Sequence, residues 1–502
     1  MNSKSLMIFG TASGVGKSFV TAGFCRLFSN AGYRVAPFKA QNMSNNSWVT
    51  REGGEMGRAQ VVQAECARVE PHVDMNPVLL KPSTDQTSQV IVQGFSVGQF
   101  SVRDYFSNCQ VNLFEKVCES FQRLISGNDF LVLEGAGSPA DINLKDRDFV
   151  NMKTAEMADA VCLLVADIDR GGVFASVVGT IELLEPHERA RIKGIIINKF
   201  RGDISLFEEG KNFIEKRTGI KVLGVLPYYP ELWMMAEDAA SIEYPKTSEA
   251  DSNVLDIAVI HFPRISNFTD FEVFRVEPDV SLRYIHRAEE MGNPDLLILP
   301  GTKSTIADLK YLQEKGFTQK ISDYVKHGGR VLGICGGFQM LGKTIRDLSH
   351  LKSSVLECSG LGFFQMTTEF FPEKVLKQVE EKVQTKIFGQ RVEGGVKAYE
   401  IHMGQTEFHE NYAKFGGCGI VSESGNIAGT YLHGLFDETG FRYAFLQALA
   451  QDAGKSFSPF PDAKSLDEIK DENYNQLAEF LREHLDLELL ENLLECDFTV
   501  KT

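Results

Sequence analysis

Two short runs hold residues whose types and spacing could do chemistry. In Gly333-Ile-Cys335-Gly-Gly337 a thiol stands between glycines, after the apolar run RVLGI and before the helical pattern FQMLGK. A tight strand-to-helix turn of this kind holds a nucleophile out at its bend, where only small neighbours fit. The helix N-terminus lowers the thiol's pKa, and adjacent backbone N–H groups, that of Gly336 among them, can stabilise an oxyanion. No other cysteine has this setting. Gly301, in Leu299-Pro300-Gly301-Thr302-Lys303 at the end of another apolar run, can lend a second N–H, although an ordinary βα turn reads the same way. The thiol needs a base. His433 in GTYLHGLFD is the first candidate and His402 in YEIHMG its competitor; residue types alone do not separate them.

The second run is Gly10-Thr11-Ala-Ser-Gly14-Val-Gly16-Lys17-Ser18, between a short apolar stretch and a helical pattern over Lys17 to Phe28. Glycines let backbone N–H groups wrap a polyphosphate, the lysine reaches its outer phosphates, and the Ser18 hydroxyl suits Mg²⁺. The loop departs from G-x-x-x-x-G-K-[ST]: its first glycine comes one residue early, and Thr11 fills the expected place. Lys39, after the second apolar run, could reach a phosphate. Glu134 ends FLVLEGAG, where a carboxylate can hold Mg²⁺ directly or through water; a helix-capping role is the alternative.

Something must position these groups. Apolar runs at 5–9, 34–38, 130–133, 161–166, 194–197 and 222–225 alternate with helical patterns, and a second series follows at 255–260, 296–299, 331–334 and 427–432. Buried runs alternating with helices predict parallel sheets covered on both faces, an α/β fold. A polar stretch at 240–254 reads as a linker. The expected domains are therefore 1–245, 252–445 and an acidic helical extension, 446–502, opened by the capping box Ser465-x-x-Glu468. Leu466, Ile469, Leu477, Phe480 and Leu481 recur there at helical spacing.

The chain has 502 residues, 43% apolar and 24% charged, with a net charge of −16. Such acidity argues against a duplex nucleic-acid binder. Nine scattered cysteines without a C-x-x-C pair argue against a disulfide framework and a zinc site. No apolar run approaches the roughly 20 residues of a membrane span, so a cytoplasmic protein is expected.

The longer phosphate loop resembles that of dethiobiotin synthetase and its relatives. Cys335 followed by His433 resembles the class I, triad-type glutamine amidotransferases, whose domain is flavodoxin-like. FKAQNMSNNS (38–47), MNPVLLKP (75–82), SQVIVQG (88–94), EGAGSPADINL (134–144), DIDRGGVFAS (167–176), INKFRGD (197–203), PRISNFTDF (263–271), LPGTKSTIADL (299–309), YEIHMG and GTYLHGLFD, in that order, resemble the cobyric acid synthase family. The resemblance implies Cys335 as nucleophile, His433 as base, and ATP with Mg²⁺ on the phosphate loop. It also implies an adenine contact by Asn198 beside Lys199, L-glutamine as nitrogen donor, and a corrinoid, adenosylcobyrinic a,c-diamide, amidated at its b, d, e and g carboxylates to adenosylcobyric acid. In the wider class a Glu follows the His by two residues, but that position is Leu435. Asp437 and Glu400 are alternatives for orienting the base, and a dyad is a third. Two rival readings use part of these residues: a cobyrinic acid a,c-diamide synthase, and a non-catalytic P-loop ATPase that leaves Cys335 and His433 without purpose. Oligomeric state is not legible.

Overall fold

The structure, a computed structural model, describes residues 3–84, 86–101, 103–105, 112–229, 253–349, 351, 355–458 and 464–498. The expected linker at 240–254 lies outside the described residues up to 252, as does Cys109.

The N-terminal half contains β1 (Lys4–Gly10), β2 (Val35–Phe38), β3 (Gln41–Met43), β4 (Ser47–Val49), β5 (Glu55–Gly57), β6 (Val78–Pro82), β7 (Thr87–Val92), β8 (Phe95–Ser101), β9 (Phe130–Glu134), β10 (Val161–Asp167), β11 (Ile192–Phe200) and β12 (Val222–Pro227). Its main sheet runs β12-β11-β10-β1-β9-β2, and every pairing in it is parallel. Strands buried on both faces must be apolar throughout, which is why each appears as a continuous apolar run. Helix α1 (Lys17–Asn30) follows β1, and α2 (Arg58–Cys66) packs beside it. Between β2 and β9 the chain adds a smaller sheet, β3-β6-β7-β8, and the pair β4-β5.

The C-terminal half contains β13 (Leu255–Ile260), β14 (Val280–Ile285), β15 (Leu296–Leu299), β16 (Val331–Ile334), β17 (Gly342–Arg346), β18 (Glu357–Ser359), β19 (Phe364–Ile387), β20 (Gln390–Phe408), β21 (Ala413–Lys414), β22 (Ile420–Val421), β23 (Ile427–Thr430) and β24 (Leu432–His433). The main sheet runs β14-β13-β15-β16-β23-β22-β21. Its first five strands are parallel, and counted along the chain their order is 2-1-3-4-5. That is the flavodoxin-like order, which gathers ligands outside the C-terminal strand ends. The long hairpin β19-β20 closes over Phe388 and Gly389, both with positive φ, as a two-residue turn demands. Its register slips between Phe370 and Val375, around Pro372, which cannot donate to a ladder.

The last described segment returns to the first half. The capping box forms as the sequence indicates: Ser465 Oγ accepts from Glu468 N, and Glu468 accepts from Ser465 N. The helix it starts, Leu466–His484, lies against α1. Leu477, Leu481 and Phe498 are fully buried there beside Leu27 and Phe28. At about 1.5–3 kcal/mol for each large apolar side chain buried, this seam contributes several kcal/mol to the first half.

Candidate active sites

Cys335 sits at the end of β16, before the short helix Gly336–Met340, with φ 49° and ψ −106°. A non-glycine residue held there stores strain, and this backbone points the thiol out of the bend. Gly337 shows why small residues flank it: a Cβ there would stand 1.9 Å from Leu299 O. The ends of β15 and β16 can approach this closely only without one. Gly336 packs against Thr302, and a Cβ on Gly301 would come 3.1 Å from His433 Cε1. Both predicted oxyanion residues therefore border the thiol and its histidine.

His433 ends β24 and is 1% exposed. Its Nδ1 lies 2.7 Å from Asp270 Oδ2, and Asp270 Oδ1 accepts from Gly434 N at 3.0 Å. Burial alone would push the imidazole down, but Asp270, and after it the Cys335 sulfur, lift it to about 10. Asp270 thus favours the protonated histidine, opposite the thiol. Such a pair favours thiolate.

The open alternatives have other partners. His402 stacks on Tyr431 at 3.9 Å between ring centroids, with its nitrogens facing Gly404 O and Glu400 Oε2. It lines the same cleft. Glu400 pairs with Lys377 and His402 rather than His433. Asp437 lies beside Gly434, and the acid holding His433 Nδ1 is Asp270 instead. Asp270 belongs to PRISNFTDF, in the short helix Thr269–Glu272. Its signal is a carboxylate among the phenylalanines of FTDFEVF, shared with Glu272.

At the other site, Gly14 and Gly16 have φ of 72° and 100°, conformations that only glycine adopts freely. The Thr11 N–H continues the sheet by donating to Val165 O, so Thr11 offers its hydroxyl rather than its amide. Lys17 Nζ lies over the loop, donating to Ala12 O and Gly137 O. Asn198 Nδ2 donates to Val15 O and its Oδ1 accepts from Lys199 N. Through these bonds Asn198 braces the phosphate loop from the end of β11. Lys199 does the same, bonding Gly14 O and Asp167.

Glu134 is 1% exposed and gathers three partners: Ser18 Oγ at 2.8 Å, Lys39 Nζ at 2.8 Å and Gln63 Nε2 at 2.6 Å. A hydroxyl and a carboxylate side by side at a phosphate loop are oxygen donors of the kind Mg²⁺ takes, with phosphate and water completing the shell. The donor set fits.

The two sites share a buried polar boundary. Ser47 N donates to Asn267 Oδ1, Tyr399 Oη donates to Ser47 O, and Lys81 from β6 enters the cleft that holds Cys335 and His433. Behind it, Asn42 bonds Gln60, and Gln63 reaches Glu134. No helix among the described residues is long and apolar enough to cross a membrane.

Residues 6–242 match the CobQ/CobB/MinD/ParA nucleotide binding domain, and residues 256–441 the CobB/CobQ-like glutamine amidotransferase domain. A cobyric acid synthase of Listeria monocytogenes serotype 4b (strain CLIP80459) is 47% identical over 98% of this chain and 97% of its own. One from Desulfitobacterium hafniense (strain DSM 10664 / DCB-2) is 46% identical over 97% of each chain. A third, from Syntrophobacter fumaroxidans, is 42% identical over 98% of each. With both domains matched in order and likeness running nearly end to end, the chain belongs to the cobyric acid synthase family of glutamine amidotransferase ligases.

Proposed function

We propose that this chain uses ATP and L-glutamine to amidate peripheral carboxylates of a corrinoid, converting adenosylcobyrinic a,c-diamide to adenosylcobyric acid. The observation that carries the reading is Cys335 facing a histidine held by Asp270, on the same chain as a phosphate loop.

In the glutaminase half, the Cys335 thiolate attacks the carboxamide carbon of glutamine. The oxyanion that forms lies within reach of the Gly301 and Gly336 N–H groups. His433 gives its proton to the leaving nitrogen, and the C–N bond breaks to leave a γ-glutamyl thioester and ammonia. Water, deprotonated by His433, then hydrolyses the thioester to glutamate. Asp270 holds the imidazole in one orientation throughout.

In the nucleotide half, the corrinoid carboxylate attacks the terminal phosphate of ATP, and ADP leaves. Ammonia adds to the acyl phosphate and expels inorganic phosphate, giving the amide. The activation is needed because oxide is a hopeless leaving group from a carboxylate. Lys17 and Lys39 neutralise the phosphates, and Asn198 and Lys199 keep the loop in shape. Ser18 and Glu134 would hold Mg²⁺, which offsets phosphate charge when bound. Ammonia must remain unprotonated between the sites, and the buried amides of Asn42, Gln60 and Gln63 lie between them.

Mass spectrometry of the corrinoid product tests this by counting amides formed from the diamide. Product with no added amide, in the presence of ATP and glutamine, would reject the reading.

A further inference from the structure

The stretch YEIHMG supplies no group to the reaction as derived, yet its first residue is among the largest fully buried side chains of the chain. Tyr399 stands on β20 directly opposite His433 of β24. Side chains paired in this way meet on one face of a sheet. These two rings stack, with centroids 5.3 Å apart and planes 23° from parallel. Asp270 thus meets the imidazole at its edge, and Tyr399 meets it at its face.

The phenol end reaches the nucleotide half. Tyr399 Oη donates to Ser47 O of β4 at 3.1 Å, and Trp48 packs on the ring at 4.5 Å between centroids. The same Ser47 donates its N–H to Asn267 Oδ1, and Asn267 O accepts from Asp270 N. One residue of the nucleotide half therefore braces both the ring and the carboxylate that meet His433. Burial, with Asp270 nearby, pushes the Tyr399 phenol well above its usual range, so it remains a neutral donor. Arg58 and Asp437 also bear on the phenol. Around the imidazole stand Asp270 and Cys335, and Lys81, Lys303, Lys374 and His402 line the cleft beyond.

A protonated imidazole almost out of reach of water needs partners for its charge. The electron-rich face of an aromatic ring attracts a cation within about 6 Å of its centroid, and the stack lies inside that range. Donation to Ser47 O leaves more negative charge on the phenol oxygen, which the ring shares. We propose that Tyr399 is a positioning residue for the base: its ring face stabilises protonated His433, and its bond to Ser47 fixes and enriches that ring. The nucleotide half thereby enters the glutaminase chemistry through a single residue. The role rests on the glutaminase reading above, whereas the contact itself can be measured without turnover.

The test titrates His433 in the full chain by NMR, with carbon-13 at histidine Cε1 and the signal identified by its loss in His433→Gln. Tyr399→Phe keeps the ring and loses the bond to Ser47, so its titration should move down by up to about half a pH unit. A trifluorinated phenylalanine placed at position 399 keeps the shape but drains the ring face. Its titration should lie lower again, by roughly half a unit to one and a half units. The basic limb of kcat/KM for glutamine hydrolysis, which reports the free enzyme, should shift in the same order. Equal titrations in the two variants would mean that the ring only packs, which overturns the assignment of Tyr399. Tyr399→Phe titrating with wild type would remove Ser47 from it. Wild type that titrates as expected but does not hydrolyse glutamine would overturn the glutaminase reading and leave the ring contact standing.

Discussion

His433 and Asp270 meet at 2.7 Å across 163 positions of chain, one at the end of a strand and the other in a single helical turn. In the wider amidotransferase class the orienting acid follows the histidine by two residues, and here that place is taken by the buried Leu435. The acid arrives from the opposite direction in sequence and meets Nδ1.

Asp270→Asn therefore tests the base. Burial pushes His433 down and Asp270 is the main group lifting it, so the variant's imidazole should lose its proton far below pH 10. Glutamine hydrolysis should fall on the order of 10²- to 10⁴-fold, and the basic limb of its pH profile should move toward neutrality. A wild-type pH profile in the variant would show that Asp270 does not tune the histidine.

Cys335→Ser separates the two chemistries. Glutamine-driven amidation should drop by roughly three orders of magnitude or more, while amidation from added ammonium salts at alkaline pH continues. Loss of both in a folded variant would mean the sites are not separable.

Lys17→Ala should do the reverse. Amidation should fall roughly 10²-fold or more with either nitrogen source, while glutamine analogues still label Cys335. Ammonia-driven turnover at the wild-type rate would remove the phosphate loop from the mechanism.

Asp308 offers a stability measurement. It lies 2% exposed behind the Gly301 turn, accepts from Thr302, and burial pushes its carboxyl up from 3.8 to about 7. The folded chain therefore holds this proton where the unfolded chain has lost it, so the group's contribution is fully present below pH 4 and fades as pH rises to 7. Asp308→Asn keeps an acceptor for Thr302 and cannot ionise. Relative to wild type it should gain on the order of 1–3 kcal/mol in unfolding free energy between pH 5 and pH 8. Parallel stability curves for the two proteins would contradict this.

The ten apolar runs all became strands because burial on both faces leaves no room for polar residues. β14, VSLRYI, alternates instead, and one-sided burial hid it. The hairpin β19-β20 was illegible for a related reason. Much of KVLKQVEEKVQTKI faces solvent, and its charges obscure the two-residue period. Site residues inside loops with local motifs, such as Cys335 and Lys17, could be read directly. Asp270 could not, because its partner is fixed by the order of strands rather than by spacing. Asn198 was found for its position at a strand end, while its bond to the Val15 carbonyl depends on how that strand meets the loop.

The helix Leu466–His484 gives the order of assembly. Synthesis produces α1 well before its covering, Tyr474 to Phe498. A growing chain therefore carries a bare apolar helix face through the manufacture of the entire glutaminase half. The front half is begun before the glutaminase half and covered only after it, so a ribosome halted before residue 474 holds a thiol site ready to form and a nucleotide site still missing its back wall.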